Sequence, residues 1–350
     1  MNILITGIGG PTPRSIGLRI RKLYPDAKII GVDIEPKAIG FYLKGLLDKS
    51  YVVPKASETK YWPTIKDILS KERVDLAFVQ SEKEVLEWGA YYNKHGEMPC
   101  KVLIPPYEYT RNLIDKNSMA GLLKGSGFIP KTIRFTQDDQ QLDKVKEEVG
   151  YPCWIRATTG SGGFGSLKLK NEKDLKAWLL VHEDIQEFTV SEFLPGRHMA
   201  NQMLYFNGEC IKNAGLHCAE YVMANIAPSK VTGNTSFGRL INEDTLLNCC
   251  ENVMDYIANQ LKQPPHGVFS FDFKEDQNGE LKVTEINIRH MAYTGIMAEV
   301  GFDLVNDTIK LLNNHPNEIE KGRYYYDNDY VFLRDVDIHP IIMKESELKK

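Results

Sequence analysis

The chain has 350 residues, 42% of them hydrophobic and 26% charged, which is an ordinary globular composition and enough for two or three domains. A net charge of −4 without a strongly basic block argues against nucleic-acid binding. No apolar run approaches the roughly 20 residues that a membrane-spanning helix needs, so no membrane association is expected.

The cysteines and the first residues both favour a reducing compartment. None of the six cysteines stands in a C-x-x-C pair or in a four-ligand zinc spacing, so free thiols are expected. The segment "MNILITGIGG" enters a strand directly, without the basic region and cleavage site of a secretion signal. A cytoplasmic location is therefore predicted.

Residues 1–114 alternate predicted strands with predicted helices. The expected strands are residues 2–6, 28–34, 74–80 and 101–106, and the expected helices are 61–72, 83–94 and one through Ile16, Ile20 and Leu23. This alternation indicates a parallel sheet with crossover helices, that is, an α/β fold. Such sheets bind ligands at the carboxyl ends of their strands, where the loops 7–10 and 80–84 lie.

The first loop, "GIGGPTPRSIG", departs from the G-x-G-x-x-G fingerprint of dinucleotide-binding folds. Pro11 and Pro13 lack the amide donors that a pyrophosphate needs, so NAD binding is disfavoured. Two readings stay open: a tight strand-to-helix turn, or a loop that contacts a small substrate through its remaining amides. On the second reading, the substrate residues are Gly9, Gly10, Arg14 and Ser15.

From residue 115 the pattern changes. A helix is predicted from Asn117 to Lys124, followed by two strands within 150–171 that flank the loop "TTGSGGFGS". Four glycines in nine positions give several inward-pointing amides and mobility, which suit a lid over a polyphosphate. A flexible hairpin tip is the alternative, but Arg156 precedes the loop on an apolar strand, where a cation needs an anionic partner.

A second polar pattern lies in "FSFDFKEDQNGELKVTEINIRH". Two strands joined by a turn at 276–279 form a hairpin, and alternation places Glu285, Asn287 and Arg289 on one face beside Asp272. Two carboxylates and an amide oxygen suit Mg²⁺, and Arg289 can neutralise a transferring phosphoryl group. The alternative is a solvated edge strand. The region before it is read as strand-rich, and a helix is expected near 301–313.

Four segments resemble motifs of ATP-grasp enzymes, most closely the carbamoyl-phosphate-synthase large-chain-like group. They are "DKNSM…GFIPKT", "YPCWIRATTGSGGFG", "SEFLPG" and "VTEINIRH", and they occur in the family's order across about 115–300. The resemblance implies a pre-ATP-grasp domain at 1–114, a small lobe with a glycine-rich lid at 115–188, and a large lobe with the metal site and a C-terminal tail at 189–350.

The resemblance also implies residue roles. Asp272, Glu285 and Asn287 would bind Mg²⁺, with Mn²⁺ as a substitute, and Arg289 would lie at the transferring phosphate. The residues implied to bind ATP are Lys116, Arg156, Gly160, Ser161, Gly162, Gly163, Gly165, Glu192, Phe193, Leu194 and His198.

The chain departs from the family pattern at four places. His198 stands where many members carry a ribose-binding acid, Ile288 replaces the proline of N-P-R, and Arg156 replaces a lysine. The segment "KVTGNTSFG" lacks the histidine of the related V-H-T-G-D-S loop, and Lys230 or Arg239 would serve the reacting groups instead.

The activity implied is that of a carboxylate–amine ligase. A carboxylic acid is activated as an acyl phosphate with release of ADP, and an amine or ammonia then displaces phosphate. One grasp unit disfavours a true carbamoyl phosphate synthase, which carries two. Two alternatives stay open: a catalytically impaired nucleotide-binding partner or sensor, and an NAD-dependent enzyme. A homodimer is also left open.

Overall fold

The first sheet is parallel, as predicted. The structure, a computed structural model, describes residues 1–137, 142–158 and 163–335. The strand order is β3-β2-β1-β4-β5. The strands are β1 (Asn2–Thr6), β2 (Lys28–Asp33), β3 (Lys49–Val52), β4 (Leu76–Phe78) and β5 (Lys101–Val102), and the helices are α1 (Pro11–Leu23), α2 (Tyr61–Glu72) and α3 (Glu82–His95).

Both faces of this sheet are covered. Ile3, Ile5 and Ile29 pack with α1 on one face, while Leu4 and Ile30 pack with α2 and α3 on the other. Alternate strand residues therefore all face a core, which explains the continuous apolar runs of β1 and β2. The last strand is shorter than the predicted 101–106, because Pro105 and Pro106 cannot donate ladder hydrogen bonds and α4 (Tyr107–Leu113) begins directly after them.

The second sheet is antiparallel, with the order β6-β9-β7-β8. Its elements are α5 (Lys116–Leu122), β6 (Thr132–Thr136), the single turn α6 (Leu142–Lys144) with a π-helical turn at Val145–Val149, β7 (Cys153–Ala157), β8 (Leu167–Leu169), α7 (Glu172–Val181) and β9 (Glu187–Glu192). Its apolar face packs on α7 through Leu175 and Leu179. The predicted boundary at 188 falls inside β9, and the domain boundaries stay predictions.

The third sheet is the largest, in the order β14-β13-β10-β11-β12-β16, with β15 paired to β11. Its elements are β10 (His198–Phe206), β11 (Glu209–Tyr221), β12 (Thr235–Ile241), α8 (Asp244–Leu261), β13 (Gly267–Glu275), β14 (Leu281–Asn287), α9 (Thr294–Glu299), α10 (Leu304–Leu312), β15 (Gly322–Arg323) and β16 (Val331–Leu333). All of its pairs are antiparallel except β11 with β15.

The helix α8 lies within the region that was predicted to be strand-rich. Leu246, Cys250, Val253 and Ile257 recur at helical spacing and are fully buried against the phenylalanines of β13. The apolar residues of this segment repeat every 3.6 positions, as in a helix, and not every second position, as in a strand. The prediction that this segment belongs to a strand-rich region is therefore wrong.

The N-terminal helix α1 packs directly on the C-terminal helices α9 and α10. Arg19 Nη2 lies 2.8 Å from Asp303 Oδ2, and the Tyr24 hydroxyl donates to Asn306 Oδ1 at 2.7 Å. A Cβ on Gly295 would lie 2.1 Å from Ser15 Oγ, so α1 and α9 approach closely at this point and a larger residue would require the Ser15 hydroxyl to move. The contact holds the carboxyl ends of the first sheet toward the third sheet. Within the described residues no helix has the length and apolarity to cross a membrane.

A buried carboxyl group links α2 to α3 inside the first domain. Glu84 Oε1 accepts a hydrogen bond of 2.8 Å from the Tyr61 hydroxyl, which accepts one of 2.9 Å from Trp88 Nε1. Burial raises the pKa of Glu84 to about 7, against an ordinary value of 4.5. The folded protein therefore holds this proton over a range in which the unfolded chain releases it.

We expect Glu84→Gln to stabilise the protein more at pH 8 than at pH 5. The contribution of a carboxyl with a raised pKa falls as pH rises from 4.5 through 7, because ionisation then favours the unfolded chain. The gain at pH 8 is about 3 kcal/mol at most, since one pKa unit corresponds to about 1.36 kcal/mol. The measurement is urea unfolding of wild type and variant at both pH values. Glu87→Gln, on the same helix, is the control, and a pH-independent difference between Glu84→Gln and wild type would contradict the prediction.

Candidate functional site

A cleft of about 1240 Å³ lies between the second and third sheets, with α3 of the first domain at one end. One end is lined by β7, β8 and the segment after β9, including Trp154, Lys168 and Phe193. The other end is lined by Glu82 and by the segment after β14, including Arg289 and Tyr293. Asp272, Glu285 and Asn287 also line this cleft, so the predicted metal ligands and nucleotide residues share one cavity.

A β-bulge sets the polar face of β14. Asp272 pairs with Glu285, but Phe273 pairs with Val283, so Thr284 is an extra residue in the ladder. Val283 and Ile286 are therefore both buried in the core although they are three positions apart. Beyond the bulge, Glu285 and the alternate residues after it face the cleft.

The oxygen donors of the predicted metal site lie together. Asn287 Nδ2 donates to Asp272 Oδ2 at 3.2 Å, which leaves the Asn287 amide oxygen as an acceptor. Burial raises the pKa of Glu285, but the charges of Lys116 and Arg156 outweigh it and hold the pKa below its usual value. No group of three or more His, Cys, Asp or Glu suited to a metal occurs among the described residues. Two carboxylates and one amide instead fit Mg²⁺, which shares its shell with phosphate oxygens and water.

Two cations face these carboxylates from the side of the second sheet, Lys116 on α5 and Arg156 on β7. Lys116 is nearly buried, and its Nζ lies 3.2 Å from Glu285 Oε1. Asp115 caps α5 by accepting from Ser118 N at 2.7 Å, and this cap places Lys116 in the first turn.

Arg156 is held by the bulged strand. Its Nη2 donates to the Thr284 carbonyl at 2.6 Å, while its Nε has no hydrogen-bond partner among the described residues. Burial lowers the pKa of Arg156, against the opposing effect of Glu285 and Asp272. A half-buried guanidinium that lines a cleft and has a donor without a partner among the described residues is suited to an anionic ligand.

The other predicted nucleotide residues line the cleft at the end of β9. Glu192, Phe193 and Leu194 all do so, with Leu194 buried. Lys168 Nζ lies 3.7 Å from the centre of the Phe193 ring, a cation–π contact. The basic residues Lys168 and Lys274 at this end were not predicted, because Lys168 on β8, which pairs with β7, and Lys274 on β13 of the third sheet come together only where the two sheets line one cleft.

The lid residues are described in part. Gly160, Ser161 and Gly162 lie outside the described residues, whereas Gly163 and Gly165 have positive φ angles of 74° and 63°. A Cβ on Gly163 would clash with the Val231 carbonyl oxygen. The end of the glycine loop therefore touches the segment 222–234, which brings Lys230 to the wall of the cleft.

Arg289 connects the cleft to the first domain. Its Nη2 lies 3.0 Å from Glu82 Oε1, and its Nη1 donates to the His290 carbonyl at 3.1 Å. The His290 ring is buried with its centre 5.9 Å from that of Phe78. Glu82 was not predicted as a site residue, although it lies in the strand-end loop 80–84 that the sequence reading marked.

Arg239 does not line the cleft. It is exposed on β12, with its guanidinium 4.7 Å from the centre of the Phe237 ring. His198 does line the cleft, where its Nε2 lies 3.1 Å from Asp272 Oδ1.

The four predicted substrate residues also lie outside the cleft lining. Gly9 N donates to Asp33 Oδ2 at 2.8 Å, and Gly10 N donates to the Gly7 carbonyl at 2.9 Å. Arg14 Nε donates to the Gly10 carbonyl at 3.1 Å, and Ser15 packs on α9. The two glycine amides are thus satisfied within the loop, and a substrate role for these residues stays a prediction.

Comparison with known proteins finds a family match in the part of the chain that contains Lys116 and Arg156. Residues 115–202 match the family model described as "Carbamoyl-phosphate synthase L chain, ATP binding domain". The large chain of carbamoyl phosphate synthase from Sulfurisphaera tokodaii is 24% identical over 208 residues, covering 54% of this chain and 19% of that protein. The chain thus spans about a fifth of the length of the curated relatives it matches.

Solved structures match nearly the whole chain. N5-carboxyaminoimidazole synthetase from Staphylococcus aureus, complexed with ADP, has a TM-score of 0.72 and 17% identity, covering 95% of this chain and 81% of that one. L-amino acid ligase from Bacillus licheniformis has a TM-score of 0.66 and 14% identity, covering 91% and 77%. The biotin carboxylase domain of the Hydrogenobacter thermophilus 2-oxoglutarate carboxylase has a TM-score of 0.65 and 15% identity, covering 93% and 71%. At these identities the likeness shows the fold, and the predicted ATP-grasp α/β fold is confirmed.

We expect Gly163→Ala to separate the glycine loop from segment 222–234, because its Cβ would clash with the Val231 carbonyl. Trypsin should then cut after Lys230 several-fold faster than in wild type. Gly125→Ala is the matched control, since Gly125 also has a positive φ, of 80°, but open space around its Cβ position. Equal cleavage of both variants would show that backbone strain alone, rather than the contact, controls access.

Proposed function

We propose that this chain, which has the ATP-grasp fold, is an ATP-dependent carboxylate–amine ligase. It would activate a carboxylic acid as an acyl phosphate with release of ADP, and join the acyl group to an amine or ammonia. One observation carries the proposal: the hard-oxygen set Asp272, Glu285 and Asn287 shares one cleft with the cations Lys116 and Arg156.

The charges of the cleft suit a metal–polyphosphate ligand. Lys116 and Arg156 would hold phosphate oxygens, and Asp272, Glu285 and Asn287 would hold Mg²⁺, or Mn²⁺ in its place. When bound, the metal offsets charge on the phosphates during transfer. The Hydrogenobacter thermophilus structure contains MgADP, which supports this assignment.

Two balanced steps would complete the reaction. The acid's carboxylate oxygen attacks the γ-phosphorus, the bond to the β-phosphate oxygen breaks, and ADP leaves. The amine nitrogen then attacks the acyl carbon, phosphate leaves, and the nitrogen loses a proton. Arg289, held by Glu82, would orient the transferring phosphate, and the glycine loop would exclude water from the acyl phosphate.

The size of the cleft favours two ligands. Sites for a single drug-sized ligand measure roughly 300–1,000 Å³, below the 1240 Å³ found here. With nucleotide near Phe193, the acid would lie at the end formed by Glu82, Arg289 and Tyr293. Arg14 and Ser15 do not line this end of the cleft, and their contact with the acid stays a prediction.

The NAD-dependent alternative has little support in the first domain. In dinucleotide-binding folds an acidic residue accepts a hydrogen bond from the ribose hydroxyl of NAD. Asp33 instead accepts from Gly9 N at 2.8 Å and from Glu35 N at 2.9 Å. A cytoplasmic location and a homodimer stay predictions.

The direct test is ADP release with ATP and Mg²⁺ in a matrix of acids and amines. Bicarbonate and the L-amino acids come first as acids, and ammonia and the amino acids as amines, because bicarbonate is bound in the Hydrogenobacter thermophilus structure and a neighbour is an L-amino acid ligase. Release that depends on one acid and one amine supports the ligase. Tight ADP binding without acid-dependent release across the matrix would favour the sensor or partner alternative.

We expect Glu285→Gln to reduce acid-dependent ADP release about 100-fold. Mutating a residue that only hydrogen-bonds a metal ligand typically costs roughly 10–100-fold in activity, and Glu285 is proposed as a ligand itself. The substitution keeps the shape but removes a negative charge between Lys116, Arg156 and the metal. Glu280→Gln, an exposed carboxylate in the same hairpin, is the control and should be neutral. Thermal melts of both variants accompany the assay. A folded Glu285→Gln variant with wild-type turnover would remove the basis of the metal assignment.

A further inference from the structure

We propose that His198 is a positioning residue that orients Asp272 toward the metal ion, and that Tyr221 fixes the His198 ring for this task. The inference rests on the proposed function, since it concerns the same site. It reassigns the residue that the family resemblance places at the nucleotide ribose.

The Asp272 carboxylate is held from two sides. His198 Nε2 lies 3.1 Å from Oδ1, and Asn287 Nδ2 donates to Oδ2 at 3.2 Å. One partner comes from the start of β10 and the other from β14, the two strands on either side of β13. With both oxygens anchored, the plane of the carboxylate cannot rotate freely, and the remaining lone pairs keep a fixed direction.

Asp272 and Tyr221 together determine which nitrogen of His198 carries the proton. The Tyr221 hydroxyl is hydrogen-bonded to His198 Nδ1, and the two rings are stacked with centres 5.7 Å apart and planes 24° apart. A carboxylate accepts hydrogen bonds and cannot donate them, so the proton on Nε2 is directed at Asp272 and Nδ1 accepts from the Tyr221 hydroxyl.

This geometry argues against a ribose contact by His198. Both ring nitrogens are already hydrogen-bonded to protein side chains, so a bond to a ribose hydroxyl would break one of them. Hydrogen-bonded partners of metal ligands commonly tune metal affinity 10–100-fold. The arrangement Tyr221–His198–Asp272 matches that role.

The test is Mn²⁺ binding to the ADP-bound protein. The electron paramagnetic resonance signal of free Mn²⁺ measures this binding and requires no turnover. We expect His198→Ala to weaken Mn²⁺ binding about 10-fold or more. His198→Gln, whose amide can still donate to Asp272, should recover most of the affinity. Tyr221→Phe should give an intermediate loss, because the ring then loses its fixed tautomer.

The matched control is His217→Ala. His217 is also a cleft-lining histidine, on the neighbouring strand β11, and none of the hydrogen bonds found for the described residues joins it to Asp272. Its removal should leave Mn²⁺ affinity unchanged. ADP affinity is measured for each variant in EDTA and should equal that of wild type, because His198 acts on the metal ligand alone.

Three results would overturn the proposal. An equal loss of metal-free ADP affinity in His198→Ala would identify a ribose contact. Unchanged Mn²⁺ affinity in folded His198→Ala and Tyr221→Phe variants would reject the positioning role while leaving the ligase proposal intact. Failure of the wild type to bind either Mn²⁺ or ADP would reject both proposals.

Discussion

Mutual compensation of opposite charges is the constraint on which the cleft depends. Two carboxylates, Asp272 and Glu285, and two cations, Lys116 and Arg156, line one cleft, in which the Lys116 side chain is 9% exposed and that of Glu285 is 35% exposed. The pairs come from different elements, with Lys116 on α5, Arg156 on β7 and the acids on β13 and β14. These opposite charges therefore compensate each other only when the second and third sheets face each other across the cleft.

The same network extends into the first domain. Arg289 follows β14 and pairs with Glu82 at the start of α3, while His290 packs on Phe78 of β4. Together with Arg19 and Asp303 on the opposite side, these contacts fix the first domain at two places. The end of the cleft that would receive the acid is thus built partly by a domain that contributes little to the nucleotide end.

Local patterns predicted much of this arrangement, and long-range pairing accounts for what they missed. Alternation in β14 and the motif order were sufficient for Glu285, Asn287 and Asp272, because one hairpin brings them together. Glu82 lies 207 positions from Arg289, and His198 lies 74 positions from Asp272, so no local period connects them. The helix α8 was missed for a different reason, since its apolar spacing was read with the wrong period.

The bulge at Thr284 has a consequence for how the strand tolerates change in length. Before Thr284, odd-numbered residues such as Val283 face the core, whereas after it the even-numbered Ile286 does so. The alternation of core-facing and cleft-facing side chains therefore shifts by one residue at the bulge, and Thr284 is the extra residue between the two halves of β14. Loss of one residue on the turn side can be absorbed by straightening the bulge, so that the cleft half keeps its orientation while the Thr284 carbonyl is withdrawn from Arg156.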